Sequence, residues 1–147
     1  IVVFDPNVRS SVLNDSLKYR EIFERWAKIS KIVKMSHEDL MFLGYKNGAE
    51  ILELGPELVV VTKGAEGIDG ITGEGVVSVP GVKVEVVDTV GAGDTVGAIV
   101  VEGLVRYGFA DLKGENLFGV LKRAARAAAI TCSRAGANPP TLLELEK

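Results

Sequence analysis

Residues 58–61 read Leu-Val-Val-Val, four apolar residues in a row. Such a run shows no alternation between a wet face and a dry one, so a strand built from it has both faces covered. Gly64 and Gly67 punctuate its exit in TKGAEG, as turn residues do. The run predicts a central strand in a sheet with helices packed on it. Two more β-branched pieces read as strands: IVVF, closed by Asp5-Pro6-Asn7, and KIVKM at 31–35. Between them Leu17, Ile22, Phe23, Trp26 and Ala27 recur at three- and four-residue spacings. That period predicts an amphipathic covering helix over 16–28.

Further along, Ser36 is placed to cap a helix HEDLMFLG, with Glu38 and Asp39 in the first turn, where the helix dipole favours acids. Residues 48–54 predict another short helix. From Gly70 to Val87 glycines alternate with valine-rich pieces, which predicts small antiparallel strands or a meander. A long helix should run to about Tyr107, and an alanine-faced one from about Glu115 to Arg134, closed by GANPP. This order of strands and helices is that of an α/β sheet covered on both faces. The length, 147 residues, fits one domain, and the chain carries no internal repeat or interdomain linker. A parallel strand at residue 1 with no initiator Met suggests a portion of something longer.

Charge narrows the function. A net charge of -3 offers no basic footprint for nucleic acid. The apolar stretches are too short to span a membrane. One cysteine, Cys132, and one histidine, His37, exclude an internal disulfide and a Cys/His zinc set, and a cytoplasmic protein fits best.

The chemistry concentrates at DTVGAGD, residues 88–94, directly before an apolar helical run. Gly91 and Gly93 let successive N–H groups converge at a helix N-terminus, and such a point binds anions. It suits a phosphate, above all a phosphoryl group in transfer. Asp94 lies in the same field. Because phosphoryl transfer has a loose transition state, a carboxylate that orients the acceptor hydroxyl and takes its proton late is sufficient. Gly-x-Gly before a helix also serves as a plain strand-to-helix turn, with the Asp as a first-turn acid.

DTVGAGDTVGA resembles the C-terminal signature of the PfkB, or ribokinase-like, family of carbohydrate kinases. In that family the segment forms the anion hole and its last Asp is the catalytic base. The resemblance implies that Gly91, Ala92 and Gly93 supply anion-hole amides and that Asp94 binds and activates the acceptor hydroxyl. VVVTKGAEG resembles the family's strand and nucleotide turn, which implies Thr62, Gly64 and Gly67 at the ATP phosphates and ribose. FDPNVRSSVL resembles DPNxRxxLW, VKMSHEDLMFLG resembles the VKxSxEEL segment of fructokinases, and AAAITCSRAGANPP is similar to the adenine-side ending of bacterial fructokinases. These imply Ser36 at the nucleotide and Asp39 toward Mg²⁺ at the Glu position of NxxE; the DTVGAGD resemblance implies Asp88 beside a monovalent cation such as K⁺, with a plain brace of the turn as the alternative.

The implied fold is a three-layer αβα Rossmann-like sheet of the ribokinase-like type, without its N-terminal part and lid. The resemblance covers essentially the whole chain, 1–147, as the C-terminal nucleotide-binding and catalytic half of such a domain. The implied reaction carries the γ-phosphoryl of ATP, with Mg²⁺, to a sugar hydroxyl, foremost the 6-hydroxyl of fructose. Alternatives are another alcohol (ribose, a nucleoside, a deoxyketogluconate) or a nucleotide-binding module without catalysis. The partners are then a small sugar and ATP, with a homodimer open to the longer protein. Departures stand at Ser36, where many relatives have Asn, at Val96 in place of an aromatic, and at Ala125 in place of an Asn.

Arg9 is expected to face phosphates or pair with a local acid, Asn7 to make a turn, and Lys34 and His37 to be solvated. Cys132 should be a small packing residue, and Lys63 has no assigned role.

Overall fold

A computed structural model describes residues 1–9 and 15–146. The positions 10–13 of the FDPNVRSSVL segment lie outside the described residues. The elements run β1 (Val3–Phe4), α1 (Ser16–Ala27), β2 (Ile32–Ser36), α2 (His37–Phe42), α3 (Gly48–Leu52), β3 (Leu58–Thr62), β4 (Ile68–Thr72), β5 (Gly75–Val79), α4 (Ala92–Tyr107), α5 (Gly114–Cys132) and α6 (Leu142–Leu145). The strands form one sheet in the order β1-β2-β3-β4-β5.

β1, β2 and β3 are parallel, with Phe4 opposite Val33, Ile32 opposite Leu58 and Ser36 opposite Thr62. The residues linking β3 to β4 and β4 to β5 are too few for a parallel crossover, so this end of the sheet is antiparallel and the sheet is mixed. The expected meander is therefore the hairpin β4–β5. No strand is assigned over 80–91.

The chain divides into two compact units, Ile1–Lys63 with Asp69–Val76, and Gly64–Ile68 with Val77–Lys147. In the first, Val33 and Met35 of β2 and Val59 and Val61 of β3 join Phe23, Ala27, Leu40, Leu43 and Ile51 in one core. Phe23 stacks on Phe4 and tilts against Tyr45, each at 5.9 Å between ring centroids. Ile32, Lys34, Leu58 and Val60, which alternate with these, are buried as well. The strands are thus covered on both faces, as an unbroken apolar run requires.

Two expectations change. α1 begins where its period predicts, with Asp15 Oδ1 accepting from the Lys18 N–H at 3.0 Å. Only Phe23 and Ala27 of its apolar set are buried, while Leu17 and Trp26 are 75% and 51% exposed. Phe23 and Ala27 form one i, i+4 stripe; Ile22 and Trp26 form the next, about 100° round the helix and in water. Lys34, expected in solvent, is 5% exposed. It sits mid-strand on β2 opposite Val60 of β3, in a strand buried on both faces, and it pairs with Asp5 at 2.8 Å.

In the second unit, α4 and α5 cross closely: a Cβ on Gly103 would lie 2.6 Å from a Val120 methyl. The alanine face of α5 is buried at Ala124, Ala125, Ala127 and Ala129. The turn after β3 is a 3₁₀ turn, Gly64–Glu66. Gly67 ends it at φ +113°, and a Cβ there would meet the Val79 carbonyl at 2.0 Å and the Gly81 nitrogen at 2.7 Å. Backbone packs on backbone, and no side chain can yield. Among the described residues no helix is long and apolar enough to cross a membrane.

Gly67→Ala should therefore destabilise the protein by about 2–4 kcal/mol, from positive φ and collision together. Chemical denaturation measures this; a loss of under ~0.5 kcal/mol would show that the turn relaxes freely.

Candidate active site

Asp5, Ser36 and Thr62 stand at the C-terminal ends of the three parallel strands, on the edge where open α/β sheets bind ligands. Ser36 and Thr62 are direct neighbours in register. Ser36 caps α2: its Oγ accepts from the Asp39 N–H at 3.0 Å, and Asp39 Oδ2 accepts from the Ser36 N–H at 3.0 Å. This is a capping box, with an Asp as the third-position acid. Asp39 Oδ1 accepts in addition from the Val8 N–H at 3.1 Å. Both oxygens of the buried Asp39 are therefore engaged by backbone. Thr62 Oγ1 reaches the Met35 carbonyl only at 3.5 Å, which leaves the hydroxyl available to another acceptor.

Around this edge, Asn7 makes the expected turn, at φ +43°, with its N–H donating to Asp5 Oδ1 at 3.1 Å. Arg9 is exposed and makes no ion pair with a described residue. His37 is exposed as expected. Lys63, beyond Thr62, pairs with Asp69 at 2.8 Å.

In the second unit, Gly64 sits at φ +55° with open space where a Cβ would be, so its backbone faces outward. Gly67 is closed in, as described above. Of the two turn glycines, Gly64 can approach a ligand and Gly67 holds the turn's shape.

The 88–94 loop is built from backbone bonds. The Val87 and Asp88 N–H groups donate to the Cys132 carbonyl at 2.8 and 3.2 Å, tying the segment to the end of α5. Asp88 Oδ1 accepts from the Val90 N–H at 3.0 Å and Oδ2 from the Gly136 N–H at 2.9 Å. These bonds hold the Asp88 carboxyl below the usual aspartate range, the Val90 bond first and the Gly136 bond second. Gly91 is the N-cap of α4 at φ +80°, and a Cβ there would lie 2.8 Å from that of Ala137. Only glycine turns this corner without strain.

Behind the corner, Thr95 Oγ1 donates to the Gly91 carbonyl at 2.8 Å and lies 3.0 Å from Thr131 Oγ1. Thr131 Oγ1 in turn reaches the Ala127 carbonyl at 3.0 Å. The pair is buried, and its 36-residue separation leaves no trace in any local pattern. In front of the corner, the Ala92 N–H leans on the Thr89 carbonyl at 3.3 Å, while the Gly91, Gly93 and Asp94 N–H groups find no acceptor among the described residues. Asp94 is exposed and its carboxylate makes no hydrogen bond or ion pair with a described residue. The arrangement is a rigid corner with open amides and a free carboxylate at its rim.

Val96 and Ala125 are buried packing residues. Cys132 is half-buried, and burial, then the Asp88 charge, push its thiol up. Among the described residues no group of three His, Cys, Asp or Glu side chains could hold a metal ion. Open amides fit a phosphate.

Comparison with known proteins gives the family. The model of the family described as pfkB family carbohydrate kinase matches residues 1–143. A fructokinase of Rhizobium leguminosarum bv. trifolii is 42% identical over 109 residues, covering 71% of this chain and 33% of that protein. The crystal structure of fructokinase from Vibrio cholerae O395 with fructose, ADP and calcium ion superposes at TM-score 0.83 and 29% identity, over 98% of this chain and 49% of that one. Aminoimidazole riboside kinase from Salmonella enterica, with aminoimidazole riboside and an ATP analogue, also superposes at TM-score 0.83, at 27% identity, over 98% of this chain and 50% of that one. The chain thus spans between a third and a half of the length of these relatives.

The Asp88 brace has a pH signature. Its folded pKa is depressed, so the contribution to stability is present above the unfolded value and lost as pH falls through the folded one. In an NMR titration the Val90 and Gly136 amide resonances should hold still through the ordinary aspartate range and move together below it. A shared inflection at the ordinary aspartate value would contradict the brace.

Proposed function

The chain belongs to the pfkB family of carbohydrate kinases, and on that premise we propose that it is the catalytic, nucleotide-binding portion of an ATP-dependent sugar kinase. The observation that carries this is the α4 corner: open Gly91, Gly93 and Asp94 N–H groups beside an Asp94 carboxylate that has no partner among the described residues. Pre-set donors aimed at a migrating phosphoryl group stabilise its charge without reorganising at the moment of transfer. Asp94 orients the acceptor hydroxyl and takes its proton as the O–P bond forms. Gly91, Ala92 and Gly93 give the corner its shape, with Thr95 and Thr131 locking it from behind.

In the first unit Ser36 and Thr62, at the strand ends, are the ATP contacts, and in the second the backbone at Gly64 is, with Gly67 fixing its turn. Mg²⁺, when bound, would be held through the phosphates and water and would supply charge neutralisation at the group in transfer. Asp39, with both oxygens engaged, meets it at most through water. A monovalent cation such as K⁺ would be held by carbonyls of the loop, with Asp88 as their brace.

Fructose is the acceptor we favour, on the 42% identity to a fructokinase and the likeness to a fructose-bound one. A riboside is the second reading, supported by the equal TM-score of the aminoimidazole riboside kinase. The 147 residues by themselves should turn over poorly, because a sugar site without its second wall neither orients the acceptor nor excludes water.

The test is ATP-dependent sugar phosphorylation by the full-length polypeptide carrying this sequence, with fructose and ribosides in a coupled assay. Asp94→Asn should lower kcat by ~10²–10⁴-fold with the KM for ATP little changed. Undiminished turnover would mean that the corner only binds phosphate.

A further inference from the structure

Lys34 has 6% of its side chain exposed, and its ammonium lies 2.8 Å from Asp5 Oδ2. Its partner is 30% exposed, and such a half-buried ion pair is weak evidence of stabilisation, because desolvation and solvent screening offset the attraction. The pair instead belongs to a set of bonds around residues 5–8. Asp5 Oδ1 accepts from the Asn7 N–H, the Tyr19 hydroxyl donates to the Pro6 carbonyl at 2.8 Å, and the Val8 N–H donates to Asp39. Asn7 at φ +43° occupies a conformation that L-residues keep only where their surroundings over-determine it.

The turn is thus anchored at both ends. Lys34 holds Asp5 to β2, and Asp39 holds Val8 to the start of α2. Asp39 is shared: the carboxylate that holds Val8 also closes the capping box on Ser36. A turn that swings at its Asp5 end pulls on Asp39, and through it on the Ser36 hydroxyl. These contacts all lie within the first unit.

We infer that Lys34 is a positioning residue for the nucleotide: through Asp5, the 5–8 turn and Asp39 it sets the Ser36 hydroxyl at the end of β2. This rests on the reading above in which Ser36 contacts ATP. Lys34 touches no substrate and takes no part in proton transfer.

The experiment compares Lys34→Met, the double variant Lys34→Met/Asp5→Asn, and Ser36→Ala in the full-length polypeptide carrying this sequence, reading Tm, kcat and the KM for ATP. Lys34→Met leaves the part-exposed Asp5 carboxylate without its cation, so Tm should fall and the KM for ATP should rise on the order of tenfold, about 1.4 kcal/mol. The double variant removes the unpaired charge while its amide can still accept from Asn7, so Tm should recover while the raised KM persists and kcat stays near wild type. Ser36→Ala should raise the same KM.

If the double variant recovers both Tm and KM while Ser36→Ala remains impaired, the pair serves the fold alone. That outcome overturns the inference and leaves the nucleotide role of Ser36 standing. A wild-type KM in Ser36→Ala overturns the role of Ser36 and the inference with it.

Discussion

The parallel pairing of β2 with β3, from Ile32 opposite Leu58 to Ser36 opposite Thr62, is the constraint on which the rest of the sheet edge depends. Side chains alternate along a strand, so a slip of one residue would turn Lys34 into the Phe23 core and Met35 out of it. It would also separate the two polar residues that end the strands side by side. Burial on both faces fixes the register, because each strand presents apolar residues in both directions and leaves one cation to be matched by one acid. The site edge is the consequence: where the apolar run stops, the chain supplies Ser36, Thr62 and the turn beyond Asp5.

The second unit solves a different problem. A helix N-terminus leaves N–H groups without partners, and most helices cover them with a capping side chain. α4 has none: its N-cap is Gly91, and no side chain bonds there. In the same chain Asp15, Ser36 and Asn47 each cap a helix in the ordinary way. α5 also begins without a side-chain cap, at Lys113; what sets α4 apart is that the exposed Asp94 follows in its first turn and that its corner is held by backbone bonds and a buried threonine pair. An uncapped end that is rigid from behind and open in front suits a ligand carrying negative charge.

Much of this was legible in the residues. The unbroken run at 58–61 announced a strand covered on both faces, the period at 16–28 announced α1, and the serine with two acids announced the α2 cap. The turn into α4 was legible because a glycine pair stands directly before an apolar helical run, and Gly91 is that helix's N-cap. What escaped was long-range. Which apolar stripe of α1 is covered depends on what packs there, and the period alone does not distinguish Phe23 from Trp26. Lys34 read as solvated because its partner lies 29 positions away on another strand. Thr95 and Thr131 read as ordinary helical residues, since nothing in either helix marks the contact. The pieces with a local physical signature were readable; pairings made by topology were not.

The central claim is that the open amides at the start of α4 receive the phosphoryl group. It is tested most directly by amide NMR of the full-length polypeptide carrying this sequence, bound to ADP, Mg²⁺, fructose and aluminium fluoride, a planar mimic of the group in transfer. The Gly93 and Asp94 amide protons should move strongly downfield relative to the complex without fluoride. If those two resonances stay in place while the mimic binds, the phosphoryl group is stabilised elsewhere and the corner is only a turn.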